Sequence, residues 1–156
     1  MEKDEFSRRI IGLLPVLHRI AWSQLPDAAD REDAVQETIR RAWEKRGCLR
    51  EERYMQTWVI RILLNVCDTF RRRAWRMIPY EEPPQKGKAV ACETPLLDAL
   101  MSLDEKYRLP LQLRYVEGYS VAEVAQILRI PQGTVKSRLS RGRDRLRAMI
   151  KEEVFE

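Results

Sequence analysis

Between Gln132 and Arg147 the side chains able to do chemistry are cations and hydrogen-bond donors, spaced for recognition rather than catalysis. Lys136, Ser137, Ser140, Arg141 and Arg147 lie on the outward arc of a helix and its flanks at about 100 degrees per residue, with Gln132 and Thr134 at its start. Arg138 completes the candidate set. Arginine and lysine read guanine, glutamine reads adenine, and hydroxyls bond either bases or phosphates, so this arc has the chemistry of major-groove reading. From Arg129 to Lys151 positions 129, 136, 138, 141, 143, 145, 147 and 151 are basic, against the single acid Asp144.

A second cationic cluster, Arg71, Arg72, Arg73 and Arg76, ends a long apolar-periodic segment. Cations at a helix C-terminus are favoured by the dipole by about 0.3–1 kcal/mol each, which is the ordinary reason for such a cluster. Trp58 and Trp75, taken alone, read as core side chains. A basic helix with interleaved aromatics is also the composition of a surface that holds phosphates and stacks unpaired bases.

Catalysis has little to work with. No nucleophile, base and orienting group converge at recognisable spacing, and there is no phosphate-binding glycine loop. His18, the only histidine, sits at helical spacing from Leu14 and Trp22 and reads as a packed or edge residue. Cys48, Cys67 and Cys92 are odd in number and widely spaced, which suggests neither a disulfide framework nor a zinc site. No catalytic residue, metal or cofactor is expected. The cysteine usage fits a reducing cytoplasm, and no apolar run approaches the roughly 20 residues that span a bilayer.

The elements that position these groups are all helical. At 156 residues, with 44% hydrophobic and 34% charged side chains and a net charge of +5, the chain has enough apolar material for a core. Apolar positions recur at helical spacing, and strand-like alternation is absent. Pro79, Pro83, Pro84 and Gly87 mark a linker over 77–93, leaving two small helical domains, 1–76 and 94–156. The first domain is predicted to hold helices over Asp4–Gln24, Asp30–Arg46 and Glu52–Trp75. The first buries Ile10, Leu13, Leu14, Leu17 and Ala21; the second buries Val35, Ile39, Ala42 and Trp43; the third carries Trp58, Ile62 and Val66 at four-residue intervals. In the second domain Ser120 and Glu123 form a capping box for a short helix with Val121, Val124, Ala125 and Leu128 on one stripe. Arg129, Ile130 and Pro131 then make a turn into the polar helix, whose core arc is Val135, Leu139, Leu146 and Ile150. That is a helix-turn-helix.

These segments resemble the bacterial RNA polymerase sigma factors of the extracytoplasmic-function class over nearly the whole chain. YSVAEVAQILRIPQGTVKSRLSRGRDRLR, 119–147, is similar to the family's fourth region, which binds the upstream promoter element near minus thirty-five. DREDAVQETIRRAW, 30–43, resembles the second-region helix that docks on the clamp of the polymerase's largest subunit, which implies docking roles for Asp33, Gln36, Glu37 and Arg40. TWVIRILLNVCDTFRRR, 57–73, is similar to the helix that engages the minus-ten element, with Trp58, Arg61, Asn65, Arg71, Arg72 and Arg73 in matching places. In the family the loop before that helix, here about Gly47 to Tyr54, shapes a pocket for an unpaired base. Two positions depart from the pattern: Thr69 replaces an aspartate four residues after Asn65, with Asp68 one place earlier, and Ile39 replaces an aromatic.

The resemblance implies a non-enzymatic initiation factor whose partners are core RNA polymerase, promoter DNA and an anti-sigma protein, often membrane-anchored, while the chain itself is not membrane-inserted. A rival reading is a stand-alone helix-turn-helix regulator using only the second domain's motif.

Overall fold

The computed structural model describes residues 1–77 and 95–155, and the chain divides into two compact units, Met1–Gly87 and Lys88–Glu156. The expected linker over 77–93 lies, apart from Met77, outside the described residues. Among the described residues there are helices and no strands, as the all-α reading requires.

In the first unit α1 (Lys3–Gln24), α2 (Ala28–Glu44) and α3 (Met55–Met77) pack together. Asp4 and Glu5 lie in the first turn of α1, where acids favour the helix dipole. Pro15 sits inside α1 on its exposed side, where water can take the carbonyl that the missing N–H leaves. The turn into α2 is tighter than expected. The helix starts at Ala28, two residues before the predicted Asp30, with Asp27 as its N-cap, the carboxylate accepting from the Ala29 N–H at 2.9 Å. Arg31 closes the same turn by donating to the Leu25 carbonyl at 2.6 Å and the Pro26 carbonyl at 3.1 Å. A 3-10 turn, Arg46–Cys48, follows α2 and another, Glu52–Tyr54, leads into α3, so α3 begins three residues later than predicted.

The buried stripe of α2 is Ala34, Val35, Thr38 and Ala42, rotated from the predicted one. Thr38 is tolerated there because its hydroxyl donates to the Ala34 carbonyl at 2.8 Å. Ile39 is half-buried, and Trp43 is 37% exposed with its ring 5.9 Å from Phe6 and the Arg46 guanidinium 4.1 Å above it. Small side chains facing inward let the helices approach; the large ones are left at the margin. Likewise α3 buries Met55, Val59, Ile60, Leu63, Val66 and Cys67, while Trp58 and Ile62 are half-buried and Trp75 is 62% exposed. Leu14 of α1 is also only half-buried.

The second unit contains α4 (Pro95–Ser102), α5 (Glu105–Leu111) with one π turn at Gln112–Val116, α6 (Val121–Leu128) and α7 (Gln132–Phe155). The first two lie in a stretch for which the sequence reading proposes no elements. Arg108 joins them, donating to the Met101 carbonyl at 3.2 Å and the Leu103 carbonyl at 3.1 Å, groups left over at the end of α4. The capping box on α6 forms as expected, with Ser120 and Glu123 bonding reciprocally at 3.1 Å each. Arg129 ends α6 in the left-handed region at φ 56°, and the Pro131 carbonyl accepts from Thr134 and Val135 as α7 begins. Val124, Ala125, Val135 and Leu139 are buried as predicted, and Val121, Leu128, Leu146 and Ile150 are half-buried.

Gly142 fixes where α5 meets α7. A Cβ there would stand 2.9 Å from Leu111 Cδ1 and 3.3 Å from Tyr107 Cβ. Gly142→Val is therefore expected to destabilise the second unit by about 1–3 kcal/mol through overpacking. Denaturant unfolding followed by circular dichroism checks this; unchanged stability would mean that α5 and α7 are not closely packed there.

Candidate nucleic-acid and partner interfaces

Three outward arcs carry the candidate residues, one on α2, one on α3 and one on α7. On α2, Asp33, Gln36 and Arg40 are exposed and Glu37 is half-buried, all away from the buried stripe. Glu37 is the hub. Its carboxylate accepts two bonds from Arg40, at 2.6 and 3.0 Å, and one from Arg41 at 2.8 Å. Arg40 also reaches Glu44 at 2.6 Å, and Gln36 donates to Glu32 at 3.5 Å. The hydrogen bonds from Arg40 and then Arg41 hold the Glu37 carboxyl down to about 2, well below its ordinary 4.5. Beside this network an open groove of about 280 Å³ runs between α2 and α3, lined by Asp33, Glu37, Arg41, Val66, Thr69, Phe70 and Arg73.

On α3, helical rotation of 100 degrees per residue places Trp58, Arg61, Asn65, Arg72 and Arg76 on one side, opposite the buried stripe. Asn65 and Arg72 are exposed there, and Trp58 and Arg61 half-buried. The arginine run divides among three directions. Arg71 turns inward to α1, donating to the Gln24 side chain at 2.6 Å across a separation of 47 residues. Arg72 pairs with Asp68 at 2.9 Å, and Arg73 flanks the groove with its guanidinium 6.0 Å from the Phe70 ring. The shifted acid therefore engages the arginine run, with Arg71 also 3.7 Å from it, while Thr69 bonds back to the Asn65 carbonyl at 3.0 Å. Arg76 and Trp75, which were not among the candidate contacts, adjoin this face and are exposed. The i+11 spacing of Arg76 from Asn65 could have found the first; nothing in the sequence announced that the tryptophan would be uncovered.

On α7, Gln132, Lys136, Ser137, Ser140 and Arg141 are exposed, and Thr134 and Arg138 are half-buried at the edges. Among the described residues Lys136 and Arg141 make no ion pair, unlike Arg145 and Arg147, which approach Asp104 and Asp144 at 3.9 Å each. Lys136 and Arg141 thus stand unneutralised within the first three turns of the helix. Among the described residues no three His, Cys, Asp or Glu side chains gather to hold a metal, and no helix is long and apolar enough to cross a membrane.

Both units have counterparts among known proteins. The Sigma-70 region 2 family matches residues 11–77 and the Sigma-70 region 4 family matches 94–146. ECF RNA polymerase sigma factor SigM of Mycobacterium tuberculosis is 33% identical over 139 residues, spanning 86% of this chain and 71% of the relative. The chain belongs to the ECF family of RNA polymerase sigma factors. SigL of the same organism is 34% identical over 135 residues, covering 80% of this sigma factor and 76% of SigL. Among solved structures, RpoE of Bartonella quintana, in complex with the anti-sigma factor NepR, superposes with a TM-score of 0.78 at 26% identity, covering 94% of this chain and 97% of that one. CnrH, solved with the cytosolic domain of CnrY, has the same fold, with a TM-score of 0.70 at 23% identity and coverage of 97% and 90%. The sigma factor is thus a helical, DNA-binding transcription initiation factor that acts with RNA polymerase, and its family is non-enzymatic.

Two outcomes follow from the geometry. Arg71→Ala is expected to destabilise the first unit by about 1–3 kcal/mol by leaving the buried Gln24 oxygen unpaired, whereas Arg72→Ala, a surface pair, shifts stability by at most about 1 kcal/mol; equal effects in thermal unfolding would contradict the inward role of Arg71. Glu37 is held below its ordinary value, so the stability it contributes is fully present above about pH 4.5 and is lost as pH falls through about 2. In an NMR titration of its side-chain carbonyl, Arg41→Gln should move the Glu37 midpoint upward toward 4.5, and an unmoved midpoint would remove Arg41 from the network.

Proposed function

We propose that this sigma factor docks on core RNA polymerase through Asp33, Gln36, Glu37 and Arg40, and divides promoter recognition between its two domains. The domain over 1–76 holds the opened minus-ten element on α3, through Trp58, Arg61, Asn65 and the arginines that follow. The domain over 94–156 reads the upstream element as duplex through Gln132, Thr134, Lys136, Ser137, Arg138, Ser140 and Arg141, and the segment 77–93 links them. The observation that carries this reading is the placement of unneutralised Lys136 and Arg141 on the exposed first turns of α7, the part of a helix-turn-helix that enters the major groove.

The physical division of labour supports the same scheme. Duplex is read by hydrogen bonds to base edges, which needs no unpairing. An unpaired base must be taken from its stack at a few kcal/mol, which a pocket and phosphate contacts offset only when polymerase adds its own. Arg71 enters as a brace for α3 through Gln24, leaving Arg72 and Arg73 as the outward members of the run. The similarity to RpoE, solved with the anti-sigma factor NepR, favours control of this chain by an anti-sigma protein as well. Its site of action is the cytoplasm, where polymerase works.

The test is run-off transcription with sigma-free core polymerase on a fragmented genomic library, with transcript starts sequenced. Starts that require this chain and share two upstream elements are expected. Their absence, together with specific duplex binding by the free chain, would make it a stand-alone regulator. In the same assay Glu37→Lys should abolish starts while keeping the helical fold, with a lower unfolding midpoint because Arg40 and Arg41 lose their shared partner, and Arg141→Ala should weaken upstream recognition by about 1–3 kcal/mol. An unchanged promoter profile would remove Arg141 from the reading face.

A further inference from the structure

One cation of the second unit is held in place without being neutralised. Arg143 is half-buried on α7, and among the described residues it has no acidic partner, although Arg145 and Arg147 beside it each approach an aspartate. Its guanidinium instead donates to the Tyr115 hydroxyl and lies 6.0 Å from the centre of the same ring. Arg114 comes over that ring at 5.7 Å, steadied by a bond to the Tyr119 carbonyl at 3.4 Å. Tyr115 itself is 56% exposed.

The two residues come from different elements. Tyr115 lies in the π turn, five residues before the capped start of α6. Arg143 continues the line Lys136, Ser140, Arg143, Arg147 along α7, at spacings of four, three and four that keep one side of a helix. In a helix-turn-helix the first helix crosses the DNA backbone while the second enters the groove. A cation tied between the turn before α6 and the border of the α7 reading arc is therefore placed for the strand rather than for a base.

We propose that Tyr115 and Arg143, assisted by Arg114, form a grip for a phosphate of the promoter duplex beside the groove that α7 enters; this rests on the sigma reading above. The Tyr115 oxygen accepts from Arg143, which leaves its own proton for a phosphate oxygen. The guanidinium is already oriented, so little rotamer freedom remains to be lost on binding, and its remaining N–H groups suit a phosphate. Such a contact positions the unit without carrying sequence information.

The test uses holoenzyme reconstituted from core polymerase and the full chain, on duplex fragments taken from the sequenced starts, with affinity measured between 50 and 200 mM salt. Arg143→Ala should bind about ten-fold more weakly on every fragment alike and lower the salt slope by about one. Arg143→Lys should keep the slope while recovering only part of the affinity, and Tyr115→Phe should lose less than Arg143→Ala at an unchanged slope. These two conservative variants keep the test readable if Arg143→Ala unfolds. Parental affinity and slope in all three would overturn the grip. So would a loss confined to some sequences, which would make Arg143 a base reader, or a loss of core binding without DNA, which would assign the patch to the polymerase. If the parent chain yields no starts, the sigma reading fails separately, and the same variants are compared on whatever duplex the free chain selects, with the same slope deciding.

Discussion

A small helical unit can cover only one stripe of each helix, and the rest of this structure follows from that limit. With three long helices among the described residues of one unit and four, mostly short, among those of the other, burial is confined to narrow seams, and every remaining arc must face solvent. The seams are made close by small residues. Ala34, Thr38 and Ala42 line the inward side of α2, and Gly142 admits α5 against α7. Because those contacts leave little freedom of rotation, the outward arcs are fixed in direction. A recognition surface on such a helix is positioned by its opposite face.

The charges on these arcs are treated differently from one helix to the next. On α2 the arginines are satisfied internally, since Glu37 takes both Arg40 and Arg41 and Glu44 takes Arg40 again. This produces a patterned surface with both signs, suited to a protein partner for which complementarity gives register. On the first turns of α7 the cations are left without acids, which suits a polyanion whose condensed counterions are released on contact. The end of α3 lies between these cases, with Arg71 committed to Gln24, Arg72 shared with Asp68 and Arg73 beside the groove. A chain of net charge +5 thus spends its cations unevenly.

Where local physics decides, the sequence was readable. The capping box of Ser120 and Glu123 and the inward placement of Val124 and Ala125 on α6 and of Val135 and Leu139 on α7 need only spacing and residue type, and they appear where expected, while Val121, Leu128, Leu146 and Ile150 are half-buried and Ile127 takes a buried place the stripe did not include. The register of α2 was less legible because hydrophobicity favours Ile39 and Trp43, while the seam selects the small Ala34 and Thr38 for their size. The start of α2 was placed two residues late, because the turn is set by the Asp27 cap on Ala29 together with the contacts of Arg31 to the Leu25 and Pro26 carbonyls. The candidate residues on α2 and α7 could be placed outward from periodicity alone. Arg71 could not, because its partner is 47 residues away, and the exposure of Trp75 depends on how far α3 extends past the helices that cover its other turns.

The central claim is that one unit reads duplex while the other captures an opened strand, and that capture requires polymerase. It is tested most directly with 2-aminopurine placed in the nontemplate strand of the downstream element. Its fluorescence should rise when core polymerase and this chain are added together, and stay flat with either alone. A rise produced by the chain without polymerase, or a flat signal from a holoenzyme bound to the same fragment, would contradict the account.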